Sequence, residues 1–373
     1  MIRLEQITLR EIRLPLREPF RTSFGSVSER RIALLELRDT DGVTAWSEGV
    51  ALDAPNYSAE ALDTAWFAMT EWVAPRVLGR EFTHPRDVYP VLEQDFRGNW
   101  MAKAAIEMGM WVLEATRQGI PLATLLGGTR SEVATGISLG IQLSPEALVE
   151  KARAAVAQGY RKVKIKIEPG RDVAYVRAVR EALGPDAPLM ADANNAYLLS
   201  DADRLAELDD LGLLMIEQPL AWDDIVQHAS LQKRLRTPIC LDESITSVDK
   251  ARDMVTLDAG RIINIKPGRV GGFASSLAIH EYCLAQQVPV WCGGMLESGI
   301  GRACNVALAS LPGFTKPGDL SPSARYWARD IVTPEWTMSS DGMVRVPLDR
   351  PGLGVTVDTD FVDTLTVRQV VLR

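Results

Sequence analysis

The chain has little cysteine and no excess of positive charge, and each shortage excludes a class of protein. Its four cysteines include no CxxC pair, which argues against a zinc knuckle or a disulfide framework and fits a reducing compartment. The net charge of −8 argues against a surface for nucleic acid or anionic membrane. The amino-terminal segment lacks the apolar core of a signal peptide, and no apolar run approaches the roughly 18 residues of a membrane helix. We therefore expect a cytoplasmic protein with no nucleic-acid or membrane partner.

The chain also has few histidines, and their positions matter. The three are His84, His228 and His280, and none follows one of the apolar runs that predict strands. A histidine general base or a Ser-His-Asp triad is therefore disfavoured.

The length of 373 residues predicts about two domains, and the first third has mixed character. Apolar and polar residues alternate at 31–37 and 43–50, on either side of the turn sequence DTDG, which predicts an antiparallel hairpin. Helical patterns follow at about 58–78 and 100–118. This part of the chain is predicted to be α+β.

From about residue 135 onward, short apolar runs alternate with helical segments. The seven runs are ATGISLGI (134–141), KVKIKI (162–167), PLMADAN (188–194), LLMIEQP (213–219), PICLDES (238–244), RIINIKP (261–267) and VPVWCGG (288–294). Strand–helix alternation of this kind requires parallel strands. A closed (β/α) barrel is favoured over an open doubly wound sheet, because no GxGxxG turn follows a strand.

A charged residue stands at the end of five consecutive runs, at intervals of 24–26 residues. These are Lys166, Asp192, Glu217, Asp242 and Lys266. Equal spacing puts them at equivalent places on five strands, at the carboxyl-terminal rim where barrel enzymes build their sites. A layer of buried salt bridges is the structural alternative. It is disfavoured, because desolvating each charge costs several kcal/mol and such pairs barely break even.

The types of these five residues indicate a chemistry. Three carboxylates on adjacent strands are hard oxygen ligands suited to Mg²⁺ rather than zinc. The flanking lysines would lie near the metal and each other, lose part of their preference for charge, and act as general bases. A metal between them would bind a substrate carboxylate and stabilise the enolate left after loss of the α-proton. A Schiff-base lysine aldolase is the alternative from another class, but it has no use for three carboxylates.

The run ends themselves resemble a known family. KIK, DAN, IEQP, LDES and NIKPGRVGG, at successive strands, are similar to the enolase superfamily and to its muconate-lactonizing branch. The paired lysines separate the chain from enolase proper, and the missing histidine on the seventh strand separates it from mandelate racemase. The chain most resembles o-succinylbenzoate synthases that also act as N-acylamino acid (N-succinylamino acid) racemases. This likeness is carried by PFRTSFG (19–25), GNWMAKAAIEM (98–108), SLGIQ (138–142) and WCGGMLESGIGRACNVALASLPGF (291–314).

The resemblance implies a fold and roles for the rim residues. The fold class is α/β, a (β/α)7β TIM-like barrel over 128–325 with an α+β capping domain over 1–127, joined by the tail, about 326–373. Mg²⁺, Mn²⁺ or another divalent cation is bound by the three carboxylates. Lys166 and Lys266 form an acid/base pair on opposite faces of the substrate. Lys164 contacts the substrate carboxylate and tunes Lys166.

The resemblance also implies a reaction and a pocket. The reaction is dehydration of succinyl-hydroxycyclohexadiene carboxylate in the menaquinone pathway, racemisation of N-acylamino acids, or both, in a homo-oligomer acting on a small carboxylate. A dipeptide epimerase or a muconate cycloisomerase-like enzyme is the alternative within the superfamily. Since the capping domain closes over the barrel mouth, eight residues are candidates for substrate contact, with ordinary interdomain packing as the alternative. They are Phe20, Ser23, Phe24, Tyr57, Ser138, Asn194, Gly294 and Met295.

Overall fold

The computed structural model describes residues 1–23 and 25–373, so Phe24 lies outside the described residues. The amino-terminal part is built on an antiparallel sheet in which β16 (Thr366–Leu372), β1 (Ile2–Thr22), β2 (Gly25–Asp39) and β3 (Thr44–Gly49) follow one another, while β4 (Glu81–Phe82) pairs with β1. The predicted hairpin is present, because β2 and β3 pair in antiparallel register across the DTDG turn.

Helices cover one face of this sheet. They are α1 (Leu62–Ala68), α2 (Ala74–Val77), α3 (Val88–Glu93), α4 (Trp100–Gln118) and α5 (Leu122–Leu126), with a π-helical turn at Met69–Val73. Helix α4 ends where predicted, because Gly119 adopts the left-handed conformation at φ 67°. At Gly109, an added Cβ would lie 2.7 Å from Leu37 of the sheet. Only glycine therefore allows α4 to pack this closely on the sheet.

The second part is a parallel barrel, as the spacing predicted. After the short β5 (Glu132–Ala134), its strands are β6 (Ile137–Leu139), β7 (Val163–Lys166), β8 (Leu189–Asp192), β9 (Ile216–Glu217), β10 (Ile239–Leu241), β11 (Ile262–Ile265) and β12 (Val290–Cys292). These seven strands from β6 to β12 pair in sequence order, each parallel to the next. The helices between and after them are α6 (Pro145–Ala157), α7 (Val173–Leu183), α8 (Ala202–Ala206), α9 (Val226–Gln232), α10 (Val248–Leu257), α11 (Phe273–Ala285) and α12 (Gly299–Ala309).

An irregular eighth segment, 314–319, closes the barrel. On one side, the amides of Thr315 and Asp319 donate to the carbonyls of Val290 and Cys292 in β12. On the other side, the Gly318 amide donates to the carbonyl at 134 in β5, and its own carbonyl accepts from the amide at 136. The chain therefore has the (β/α)7β TIM-like barrel with a capping domain.

Alternation along the strands separates two apolar clusters. Inside the barrel, a small cluster is formed by Met190, Met215, Cys240, Ile262 and Trp291, all buried. The intervening strand residues, such as Ala191, Ile216 and Leu241, belong to the main core between strands and helices. The inner cluster forms a floor directly below the charged rim.

The carboxyl-terminal tail contacts both parts. Its elements are β13 (Val332–Thr333), β14 (Met343–Arg345), β15 (Thr356–Val357), α13 (Thr359–Leu365) and β16. Strand β16 pairs with β1 of the cap, whereas β14 pairs with β5 at the start of the barrel. Because β16 pairs with β1, we propose that the tail, 326–373, belongs with the cap, 1–127, and that the barrel comprises 128–325. Among the described residues, no helix is long and apolar enough to cross a membrane.

Candidate active site

The five charged residues lie together at the rim of the barrel, where their strands end. Lys166 is the register partner of Asp192, and Asp192 is the partner of Glu217. Asp242 and Lys266 come directly after β10 and β11. The three carboxylates are at most 1% exposed, so the rim is a buried ionic layer rather than a solvated surface.

The first half of the rim, around Lys166 and Lys164, is held by contacts between residues of the barrel. The Lys166 ammonium donates to Asp192 Oδ2 at 2.6 Å and to Asn194 Oδ1 at 2.5 Å. The Lys164 ammonium lies 2.5 Å from Asp319 Oδ2, 3.2 Å from Glu217 Oε2 and 3.3 Å from Asp192 Oδ2. Burial alone would raise the pKa of Asp192, but the ammonium groups of Lys166 and Lys164 outweigh it and lower that pKa.

The second half involves the cap. Lys266 donates to Asp242 Oδ2 at 2.7 Å and to the Tyr57 hydroxyl at 3.0 Å. That hydroxyl donates to Asp242 Oδ1 at 3.1 Å, an oxygen that also accepts from Arg269. Burial disfavours the Lys266 ammonium, yet Asp242, Tyr57 and Glu217 outweigh it, so its pKa is raised.

The pKa values of Lys266 and Lys164 are both raised above the ordinary range in the protein alone. The physical reason is that the rim carboxylates pair directly with the ammonium groups. General-base behaviour therefore requires that something else neutralise these carboxylates. The prediction that the rim lysines lose part of their preference for charge concerns the metal-bound site, and it stays a prediction.

The buried carboxylates also repel one another electrostatically. Burial, followed by the charges of Asp192 and Asp242, raises the pKa of Glu217 to about 8. Glu243, next to Asp242, is buried too, and its Oε2 has no hydrogen-bond partner among the described residues. Among the described residues, no three histidine, cysteine or acidic side chains converge as metal ligands. Asp192 and Asp242 each pair with a lysine in the protein alone.

A cavity of about 500 Å³ opens between the cap and this rim. Both Lys166 and Lys266 line it, as do five of the predicted pocket residues: Phe20, Tyr57, Asn194, Gly294 and Met295. Ser23 is close by, since its hydroxyl donates to the Asn194 carbonyl at 3.2 Å. Ser138 is buried in β6 beside Lys164 and is not among the residues that line the cavity. Phe24 falls outside the described residues.

Several residues at the site were not predicted from the sequence. Glu243 and Arg269 lie one and three residues beyond predicted positions, in LDES and NIKPGR, so proximity to the motif was a usable signal. Asp319 lies in the irregular eighth segment, where no apolar run marks a strand. Arg30 comes from β2 of the cap and also lines the cavity.

Two buried glutamates of the cap bind the starts of barrel helices. Glu107, in α4, accepts from the amides of Phe273 and Ala274 at 2.6 and 2.9 Å, at the start of α11. Glu48, in β3, accepts from the amides of Ser298 and Gly301 at 3.1 and 3.0 Å, at the start of α12. A carboxylate is favourable at a helix amino terminus. Burial is the larger effect, however, and raises the pKa of each glutamate to about 7.

Comparison with known protein families agrees with this architecture. Residues 5–127 match the family described as mandelate racemase / muconate lactonizing enzyme, N-terminal domain. Residues 147–361 match the enolase C-terminal domain-like family. The first match corresponds to the cap, and the second to most of the barrel together with part of the tail.

Individual relatives are similar over almost the whole chain. An o-succinylbenzoate synthase of Geobacillus kaustophilus is 49% identical, over 98% of this chain and 96% of the relative. An N-succinylamino acid racemase of Thermus thermophilus is 46% identical, over 99% of this chain and 98% of the relative. A solved structure of an enolase superfamily member from Listeria innocua is 40% identical, with a TM-score of 0.95 over 100% of this chain and 99% of that one. The chain thus belongs to the enolase superfamily, in its mandelate racemase / muconate lactonizing branch.

Proposed function

We propose that the protein removes the proton α to a carboxylate in a small substrate, as an o-succinylbenzoate synthase, an N-succinylamino acid racemase, or both. The observation that carries the proposal is the pair Lys166 and Lys266, which line one cavity from strands on either side of three buried carboxylates. Relatives named for each of these two activities are 46–49% identical to the chain, which supports both.

Asp192, Glu217 and Asp242 would hold a divalent cation, Mg²⁺ first and Mn²⁺ or another as alternatives. The donor types fit, because three buried carboxylates stand on consecutive parallel strands and oxygen ligands suit a hard cation. Binding would require Asp192 and Asp242 to exchange their lysine partners for the cation. Burial, followed by the charges of Asp192 and Asp242, raises the pKa of Glu217, and a dication would favour the ionised form of all three carboxyls. When bound, the cation would take the substrate carboxylate and offset the charge of the enolate that forms as the proton leaves.

The two lysines then divide the proton chemistry. In racemisation, one lysine removes the α-proton and the other donates a proton to the opposite face. In dehydration, Lys166 would remove the proton and then deliver it to the departing hydroxyl group, which leaves as water, while Lys266 stays protonated beside the enolate. Well-placed proton transfer of this kind contributes about 10²–10⁴-fold in rate.

Other residues hold these groups in place. Lys164, between Asp319 and two of the proposed ligands, would contact the substrate carboxylate and keep Lys166 in position. The cavity walls at Phe20, Gly294 and Met295 would contact the rest of the substrate. A homo-oligomer remains a prediction from the resemblance.

The decisive experiment is to assay one preparation against both substrate types. We expect deuterium exchange at the α-carbon of N-succinylamino acids, dehydration of succinyl-hydroxycyclohexadiene carboxylate, or both, and the ratio of kcat/KM values identifies the dominant activity. Borohydride trapping of a substrate adduct on Lys166 or Lys266 would instead favour a Schiff-base aldolase and sink the proposal.

Metal dependence is tested on the same preparation. Removal of divalent cations with EDTA should lower the exchange rate by at least about 10³-fold, because the enolate charge loses its main stabilisation. Added Mg²⁺ or Mn²⁺ should restore it. Full activity in rigorously metal-free protein would contradict the assigned ligands.

A further inference from the structure

Two neighbouring arginines of the cap strand β2 differ in their partners: Arg31 forms ion pairs with carboxylates, and Arg30 does not. Arg31 donates to Glu11 at 2.7 Å and to both oxygens of Asp63 at 3.1 Å, on one face of the sheet. Arg30 points to the other face, because side chains alternate along a strand. It is 1% exposed, and its Nη2 donates to the Val50 carbonyl at 3.3 Å. Its Nε has no hydrogen-bond partner among the described residues.

Such a side chain is costly to bury. An arginine carries five N–H donors and a permanent charge, and burying a charge without a bonded counter-ion costs several kcal/mol. Glu48, Asp53 and Glu297 lie near enough to favour the charge, but burial outweighs them and lowers the pKa of Arg30. A residue held at this cost is better explained by a ligand than by packing.

The position of Arg30 indicates where that ligand would lie. Arg30 lines the same cavity as Lys166 and Lys266. Those two lysines pair with Asp192 and Asp242 in the protein alone, and the proposed function assigns them to proton transfer at the reacting end of the substrate. Arg30 is attached to the cap instead, on the opposite wall from the barrel strands. Two acidic residues also line the cavity: Glu29, which is half-exposed and lies 3.5 Å from Arg13, and the exposed Asp53, whose charge favours the Arg30 guanidinium.

We propose that Arg30 binds the distal carboxylate of the substrate, the one at the end of its succinyl chain, and so selects dicarboxylate substrates. This inference rests on the proposed function and deepens it. Both candidate substrates carry a carboxylate at the reacting end and a second one at the end of a succinyl group. A single positively charged side chain of the cap, Arg30, therefore serves both activities, and a bound carboxylate would give it a hydrogen-bonded counter-charge and a partner for Nε.

The test compares two ligands that differ in one charge. With Mg²⁺ present, calorimetry measures the Kd of an N-succinylamino acid and of its N-succinamoyl analogue, in which the distal carboxylate is a neutral amide of the same size. Wild-type protein should bind the succinyl ligand at least about tenfold more tightly. In Arg30→Gln this preference should fall to within about twofold, mostly through weaker succinyl binding, and Arg30→Lys should keep part of it.

Arg31→Gln is the matched control. It removes an arginine from the adjacent position and breaks two ion pairs, so it should lower the melting temperature yet keep the wild-type preference for the succinyl ligand. The assignment is overturned if wild type shows no preference, if it binds neither ligand, or if Arg30→Gln weakens both ligands by the same factor.

The outcomes also separate this inference from the proposed function. Wild type that prefers the charged ligand but never exchanges its α-proton keeps the assignment of Arg30 and refutes the proposed reaction. Wild type that exchanges the α-proton of both ligands but binds them equally keeps the reaction and refutes the assignment.

Discussion

The two halves of the barrel rim hold similar residues in different ways. Around Lys166, the bonds run to Asp192 and Asn194, all within the barrel. Around Lys266, the hydroxyl of Tyr57 from the cap joins the lysine to Asp242. The sequence presents the two lysines as equivalent strand-end residues. The structure makes one of them dependent on the cap.

The anchoring of the cap follows the same division. Glu107 and Glu48 bind the starts of α11 and α12, the helices that follow β11 and β12 in the second half of the barrel. In the first half, the cap contacts the barrel through the segment at 21–23, where the Arg21 carbonyl accepts from the Ile141 amide at 3.0 Å. We therefore expect a disturbance of the cap to affect the Lys266 face first.

The largest expected effect is loss of either lysine. Lys166→Ala and Lys266→Ala should each reduce racemisation at least about 10³-fold, because each removes the acid/base group of one face. Exchange of the α-proton into deuterated water, followed by NMR, should survive for one enantiomer in one variant and for the other enantiomer in the other. Lys151→Ala, on the surface beside Glu18, should behave like wild type. Exchange of both enantiomers in either rim variant would remove the two-face assignment.

The buried glutamates Glu107 and Glu48, which bind the cap to the barrel helices, should make the stability of the fold depend on pH. The pKa of Glu107 is about 7 in the fold against 4.5 as its ordinary value, so the folded state holds a proton that the unfolded state has lost. The protonated Glu107 carboxyl therefore contributes its full stabilisation to the fold below pH 4.5. This stabilisation is lost as the pH rises to about 7, which lowers the free energy of unfolding by about 3 kcal/mol.

Urea unfolding of wild type and Glu107→Gln between pH 4.5 and 7.5 checks this sign. The gap between their free energies of unfolding should shrink as the pH rises, because glutamine does not titrate. Glu150→Gln, at an exposed position of α6, should shift the whole curve by a few tenths of a kcal/mol at most. A constant gap between wild type and Glu107→Gln would show that this carboxyl stays ionised in the fold.

The smallest effect should come from Tyr57→Phe. The variant keeps the ring and removes the hydroxyl that Lys266 and Asp242 share, so exchange on the Lys266 face should fall about tenfold, equivalent to about 1.4 kcal/mol. Exchange on the Lys166 face should be unchanged. Tyr197→Phe loses a similar buried bond, to Asp172 at 2.9 Å, and should leave both faces alike. If Tyr57→Phe lowered the exchange rate equally on both faces, the proposed difference between the Lys166 and Lys266 halves of the rim would be wrong.

Sequence reasoning succeeded where the repeat itself carries the information. Equal spacing was enough to bring Lys166, Asp192 and Glu217 into register, because each strand–helix unit advances the chain by one strand. A local cap also follows from the residue type: the Ser144 hydroxyl accepts from the Ala147 amide at the start of α6, as expected of a serine just before the first helical residue.

What failed depends on contacts between distant parts of the chain. Glu48 and Ser298 are 250 residues apart, and no local pattern connects a strand residue of the cap to a barrel helix. Asp319 was missed because its segment closes the barrel without a regular strand. The sequence could not show which carboxylate oxygens face Lys164 and Lys266, a detail of side-chain geometry that raises the pKa of both lysines in the protein alone.

The apolar floor below the rim should slow the exchange of hydrogen between the rim lysines and bulk water. Met190, Met215, Cys240 and Trp291 fill the barrel interior beneath the ammonium groups, which leaves the capped cavity as the route between these groups and bulk water. While substrate fills that cavity, a proton taken from carbon has few water molecules with which to exchange. Part of a deuterium label at the α-carbon should therefore return to the same carbon, and the returned fraction measures how well the occupied cavity excludes water.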